Sequence, residues 1–261
     1  MSVKIVIILF YLTLAHSAMY AQIFTTVIDE TALQFRVKQI DEFMERFNNQ
    51  VNYRGEKPQQ SKGYDERRKN VLTLLNLDKF ATANGQLDSI AQKFVDYIIN
   101  NDIKIAYEDT TWYAEASGSC TYEKRKYALT LFLKTEQIGG HIYKWVVTNL
   151  ASSLFDQFPV KPQGALTIPP SDHGISFISL PEMFNLNNSA VAYAYQKGYE
   201  RNYLSVFDFL MATNKIRMLP ITKVLFHFHL NDFDFVVERI EKDNGYNQGW
   251  LINNIFDNHE K

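Results

Sequence analysis

The chain has 261 residues, 46% hydrophobic and 21% charged, with 27 Lys and Arg against 29 Asp and Glu. That balance excludes a disordered chain and carries no basic footprint for nucleic acid. Its one cysteine, Cys120, excludes an intramolecular disulfide, so packing alone must hold the fold.

The first 21 residues open with Lys4, continue through the apolar run Ile5 to Leu14, and end among Ala15, Ser17, Ala18 and Ala21. This is the order of a secretory signal peptide. The run is shorter than the roughly 20 apolar residues of a membrane span, and no later stretch approaches that length. The expectation is an exported protein, periplasmic or secreted, soluble after cleavage behind Ala21 and without a transmembrane segment. Ala15 and Ser17 also satisfy the small-x-small cleavage rule.

Residues 22–155 read as helices followed by an antiparallel meander. From Asp29 to Phe47, the residues Leu33, Val37, Ile40, Phe43, Met44 and Phe47 recur at helical steps with charges between them. Two shorter helices follow, from about Asp65 to Leu75 and from about Gln86 to Ile99. At Ile103 the period changes to two, giving a short strand and then long strands from about Trp112, Lys126 and Ile142, with turns at Glu123 to Arg125 and at Gly139-Gly140. Residues 156–175, rich in Pro and Gly, form a linker or a crossing loop. Residues 176–261 repeat the pattern: a helix from about Leu204 behind an Asn202 cap, then a three-stranded meander that is either a second unit or the completion of the same sheet. The halves echo each other at a spacing of 105 residues, Glu136, Gly140, Trp145 and Asn149 matching Glu241, Gly245, Trp250 and Asn254. Two-residue turns would set Lys134 opposite Trp145 and Arg239 opposite Trp250, each a cation over an indole.

The candidate chemistry lies in LFHFHLNDFDFVVE, residues 225–238. With Asn231-Asp232 as the turn, His227, His229, Asp234 and Glu238 share one strand face and His229 stands opposite Asp234, with Leu251 and Ile255 arriving on that face from the next strand. Such a set suits either a zinc ion on His227, His229 and Asp234 or a histidine oriented as a general base; an ordinary solvated strand face shows the same alternation. Ser171, Asp172 and His173 are neighbours in sequence, which does not make a triad converge in space. Cys120 with His141 could pair a nucleophile and a base, but Cys120 alternates with Trp112, Ala114, Ala116 and Gly118, an inward strand face. That row of small residues leaves room for a helix or for a ligand pocket. No Gly-rich phosphate loop, HExxH, GxSxG or CxxC occurs, so no cofactor is expected, zinc being the alternative.

The opening amphipathic helix with QIDEFMERFN at residues 39–48, two further helices and a meander ending in YKWVVTNL resemble the NTF2-like (SnoaL-like) superfamily, over residues 28–150. The chain also resembles exported proteins of unknown function from gut Bacteroidetes. The resemblance implies an α+β fold with helices packed on a curved antiparallel sheet that closes as a cone around a pocket; the sequence echo offers two related helix-plus-meander halves instead. In the enzymes of that superfamily an Asp-His pair lies in the pocket, whereas residues 28–150 hold only His141. The expected function is therefore a non-catalytic binding module of the cell envelope for a small apolar ligand or an envelope protein, the alternative being an exported hydrolase or lyase that uses the His/Asp/Glu face.

Overall fold

A computed structural model describes residues 39–58, 63–140, 142–158, 202–242 and 247–259, with backbone alone for 63–65. The expected signal sequence, the expected start of the first helix, the segment with Ser171, Asp172 and His173, and His141 lie outside the described residues. Among the described residues the first half contributes helices α1 (Ile40–Phe47), α2 (Gly63–Thr73), α3 (Leu77–Phe80) and α4 (Ser89–Asn100). Strands β1 (Trp112–Tyr122), β2 (Arg125–Gly139) and β3 (Ile142–Ala151) follow, then a 3₁₀ turn, Ser153–Gln157. The second half contributes α5 (Tyr203–Ala212), β4 (Ile216–Met218), β5 (Lys223–His229), β6 (Phe233–Ile240) and β7 (Gly249–Asp257). None of the described helices is long and apolar enough to cross a membrane.

The seven strands make one open antiparallel sheet in the order β3-β2-β1-β5-β6-β7, with β4 extending β5's place beside β1. The second meander is thus hydrogen-bonded to the first along β1. Between β4 and β5 the chain detours past Gly118, held by Leu219 N–H donating to the Ser119 carbonyl at 2.9 Å and Thr222 N–H donating to the Ser117 carbonyl at 2.9 Å.

Both hydrophobic cores lie on the face shared by Trp112, Ala114 and Cys120. The larger joins α1, α2 and α4 to β1, β5, β6 and β7. Its spine is a ladder of residues directly opposite one another: Trp112 stacks on Phe228 at 5.3 Å and Phe228 on Phe235 at 4.7 Å. Phe43 and Phe47 of α1 and Phe94 of α4 close over it. Aromatic pairs of this kind contribute about 0.5–1.5 kcal/mol each beyond the area they bury. The smaller core joins α5 and the 3₁₀ turn to β1, β2, β3 and β4 through Cys120, Leu129, Leu150, Leu154, Phe155, Leu210 and Ile216.

Several expectations are corrected. No strand forms at Ile103: the Asn48 side chain accepts from Ile105 N–H at 2.9 Å and donates to its carbonyl at 2.7 Å, occupying the groups a strand neighbour would use. The helix expected from Gln86 starts at Ser89, because the Asp88 carboxylate accepts from Ala91 N–H at 2.9 Å and caps it there. A bulge between Gln137 and Gly139 slips the β2–β3 register, so Thr135, not Lys134, faces Trp145. Arg239 does face Trp250, but the Trp250 ring meets Phe226 edge-on, and Arg239 pairs with Glu241 at 2.7 Å. A bulge between Val236 and Val237 turns Ile255 onto the core face beside Phe235, leaving Leu251 opposite Glu238.

Candidate functional site

On the sheet face away from the helices, the β5–β6 turn falls at Asn231-Asp232 as the pattern predicts, and His229 stands opposite Asp234. Its Nδ1 lies 3.1 Å from Asp234 Oδ1. His227 turns instead to β1, its Nε2 2.9 Å from Glu115 Oε2. Tyr113 stacks on His227 at 4.7 Å and lies 5.8 Å from the His229 ring. Burial, with the charges of Glu115 and Asp234, pushes the Tyr113 hydroxyl up, so it stays protonated. Glu238 belongs elsewhere: it pairs with Lys223 at 2.9 Å and accepts from Asn253 Nδ2 at 2.8 Å. Burial pushes its carboxyl up, but Lys223 and Asn253 together outweigh that and hold it low.

The expected four-residue set thus splits into two His–carboxylate pairs and a separate ion pair. Among the described residues no three His, Cys, Asp or Glu side chains gather as metal ligands. Each carboxylate can orient its imidazole as a base. Glu115 was not legible, because it comes from a strand 112 positions away in sequence; the alternation Tyr113, Glu115, Ser117, Ser119 was its one trace.

The small-residue row faces the helix-bearing side of the sheet. Trp112, Ala114 and Ala116 are buried, and a Cβ at Gly118 would meet the Pro220 carbonyl oxygen at 3.0 Å. Cys120 is buried in the smaller core, where burial pushes its thiol up, away from the thiolate a nucleophile needs.

A cleft opens instead beyond the Trp112 end of that row, on the helix-bearing face. Its volume is about 480 Å³, and Tyr107, Glu108, Thr135, Tyr143, Lys144 and Trp145 line it. The buried Trp112 ring lies beneath two of these residues, with the Trp145 ring edge-on to it at 5.3 Å and Tyr107 tilted against it at 5.9 Å. Tyr143 stacks on Tyr107 at 5.8 Å and donates its hydroxyl to Glu108 Oε2 at 3.2 Å. The loop carrying Tyr107 is pinned at both ends. The Asn48 clamp holds Ile105, and Thr135 Oγ1 donates to the Tyr107 carbonyl at 2.6 Å. Burial first, then the negative charges of Asp41 and Glu45 on α1, push the Tyr107 hydroxyl up. The sequence signal for this cleft was the Tyr-x-Trp spacing at 143 and 145, which puts both rings on one strand face; its other wall comes from a loop whose alternation reads as a strand.

The fold is α+β, built on an open seven-stranded antiparallel sheet. Compared with protein-family models, curated proteins and solved structures, the chain has no match.

Proposed function

We propose that this protein is a non-catalytic, exported binding module and that its ligand seats in the cleft between Tyr107, Tyr143 and Trp145. The observation that carries this reading is the half-exposed Trp145 ring, 41% accessible, standing on a buried Trp112 in a cleft with other aromatic walls. Concave sites with aromatic linings and few polar groups are where small ligands bind. An α1 helix lying on the inner face beside the cleft supports the NTF2-like kinship. The strand order supports two related halves: exchanging β1 with β5, β2 with β6 and β3 with β7 leaves it unchanged. Ser117 and Thr222, 105 positions apart, hydrogen-bond at the centre of that exchange.

A ligand-detected NMR screen of a fragment library against the mature protein and Trp145→Ala tests the cleft. Fragments that bind the first and not the second are expected; hits indifferent to the substitution would move the site elsewhere. Export is tested by the intact mass of protein recovered from the periplasm or medium, expected to begin at Gln22.

The two His–carboxylate pairs favour a second reading, an exported hydrolase or lyase with His229 as the base held by Asp234. It requires a hydrolytic or elimination activity that Asp234→Asn lowers without loss of structure. A substrate panel with no such activity retires it.

A further inference from the structure

We propose that the cleft selects an organic cation, a quaternary or alkylated ammonium group, through its aromatic walls and the carboxylate of Glu108. The inference rests on the cleft being the ligand site and names the chemistry of what enters it. Tyr143 and Tyr107 lie at 27° to one another, and Tyr107 and Trp145 are set at 57° and 84° to the buried Trp112 ring on which both rest. A wall that turns in this way presents ring faces from several directions, which suits a rounded cation better than a flat ring. The surrounding charge has the matching sign. Glu108 stands at the Tyr143 hydroxyl, and Asp41 and Glu45 bring negative charge to Tyr107.

Lys144 is the cation among the lining residues. Strand alternation turns its side chain to the face opposite Tyr143 and Trp145, where Glu136 holds it at 3.6 Å. A saccharide fits less well. The Thr135 hydroxyl is donated to the Tyr107 carbonyl and the Tyr143 hydroxyl to Glu108, so the remaining polar lining is the Tyr107 hydroxyl, one carboxylate already engaged and one lysine turned away. Reading several sugar hydroxyls takes more donors and acceptors than these.

The test titrates the mature protein with choline, with its neutral isostere 3,3-dimethyl-1-butanol and with methyl glucoside, by calorimetry and tryptophan fluorescence. Choline is expected to bind about tenfold more tightly than the isostere, and exposed Glu108 substituted as Glu108→Gln should shrink that preference while leaving the thermal melt in place. Equal binding of choline and the isostere, both lost in Trp145→Ala, would overturn the cation and keep the cleft as an apolar site. Binding of methyl glucoside in preference would overturn it in favour of a sugar. No heat and no fluorescence change with any of the three would overturn it as well, leaving the fragment screen to decide whether the cleft binds anything.

Discussion

At Gly118 an added methyl group would press on the detour between β4 and β5, because the Pro220 carbonyl oxygen at 3.0 Å and Ile221 Cα at 3.2 Å are backbone atoms that must give way to it. Gly118→Ala is expected to cost about 1–3 kcal/mol, the usual penalty of overpacking, read as a lower denaturation midpoint in urea; an unchanged midpoint would mean that the detour can slide outward. Glu238 sets a dependence on pH. Its folded-state acidity is raised relative to an ordinary glutamate near 4.5. The stability it contributes is therefore complete above that value and is lost as pH falls through the lower folded value. Melting temperature should drop as pH falls below about 4.5, and Glu238→Gln should flatten part of the drop. Asp96 and Asp102 contribute the same sign: Gln92 and Arg68 hold the first low, Lys104 and Arg67 the second.

Helix α4 begins where one side chain allows it to begin. Asp88→Ala leaves the Ala91 amide without its acceptor and should cost about 0.5–2 kcal/mol, measured by thermal melting, whereas Asp88→Asn should cost less because the amide oxygen still accepts. Elements of this kind are the ones a reader of the sequence recovers. The Asn202 cap of α5 is another, its side chain accepting from Ser205 N–H at 2.9 Å, and so is the Asn231-Asp232 turn, since each signal lies within a few residues of its consequence. What stays hidden is set by distant partners. Residues 103–106 alternate like a strand, yet the Asn48 side chain already satisfies Ile105. The bulges near Gly139 and at Val236 reverse which side chains share a face without leaving any mark in hydrophobic period. Hence His229 and Asp234 were legible as a pair, and Glu115 and the Tyr107 wall were not.

Each helical layer of the molecule reaches the other half's strands: α4 packs on β7, while α5 packs on β3 as well as on β4 of its own half. Neither half is expected to fold by itself. Chains 22–158 and 202–261 made separately should lack a cooperative melt and regain one on mixing; a cooperative melt for either alone would mean that its own strands and helices suffice. The β7 edge is protected locally, since Leu74 and Asn76 exchange hydrogen bonds with Ile252 at 2.7 and 2.9 Å, and an edge so covered cannot recruit another chain. The β1–β5 seam has no such local guard. Trp112 meets Phe228 across it, 116 residues later. On the ribosome, β1 is complete and bare along one side long before its neighbour has been synthesised. An open strand edge in a partly made chain is a site for mispairing. Protection during that interval has to come from outside the sheet, from a chaperone or from a chain held unfolded until β5 emerges.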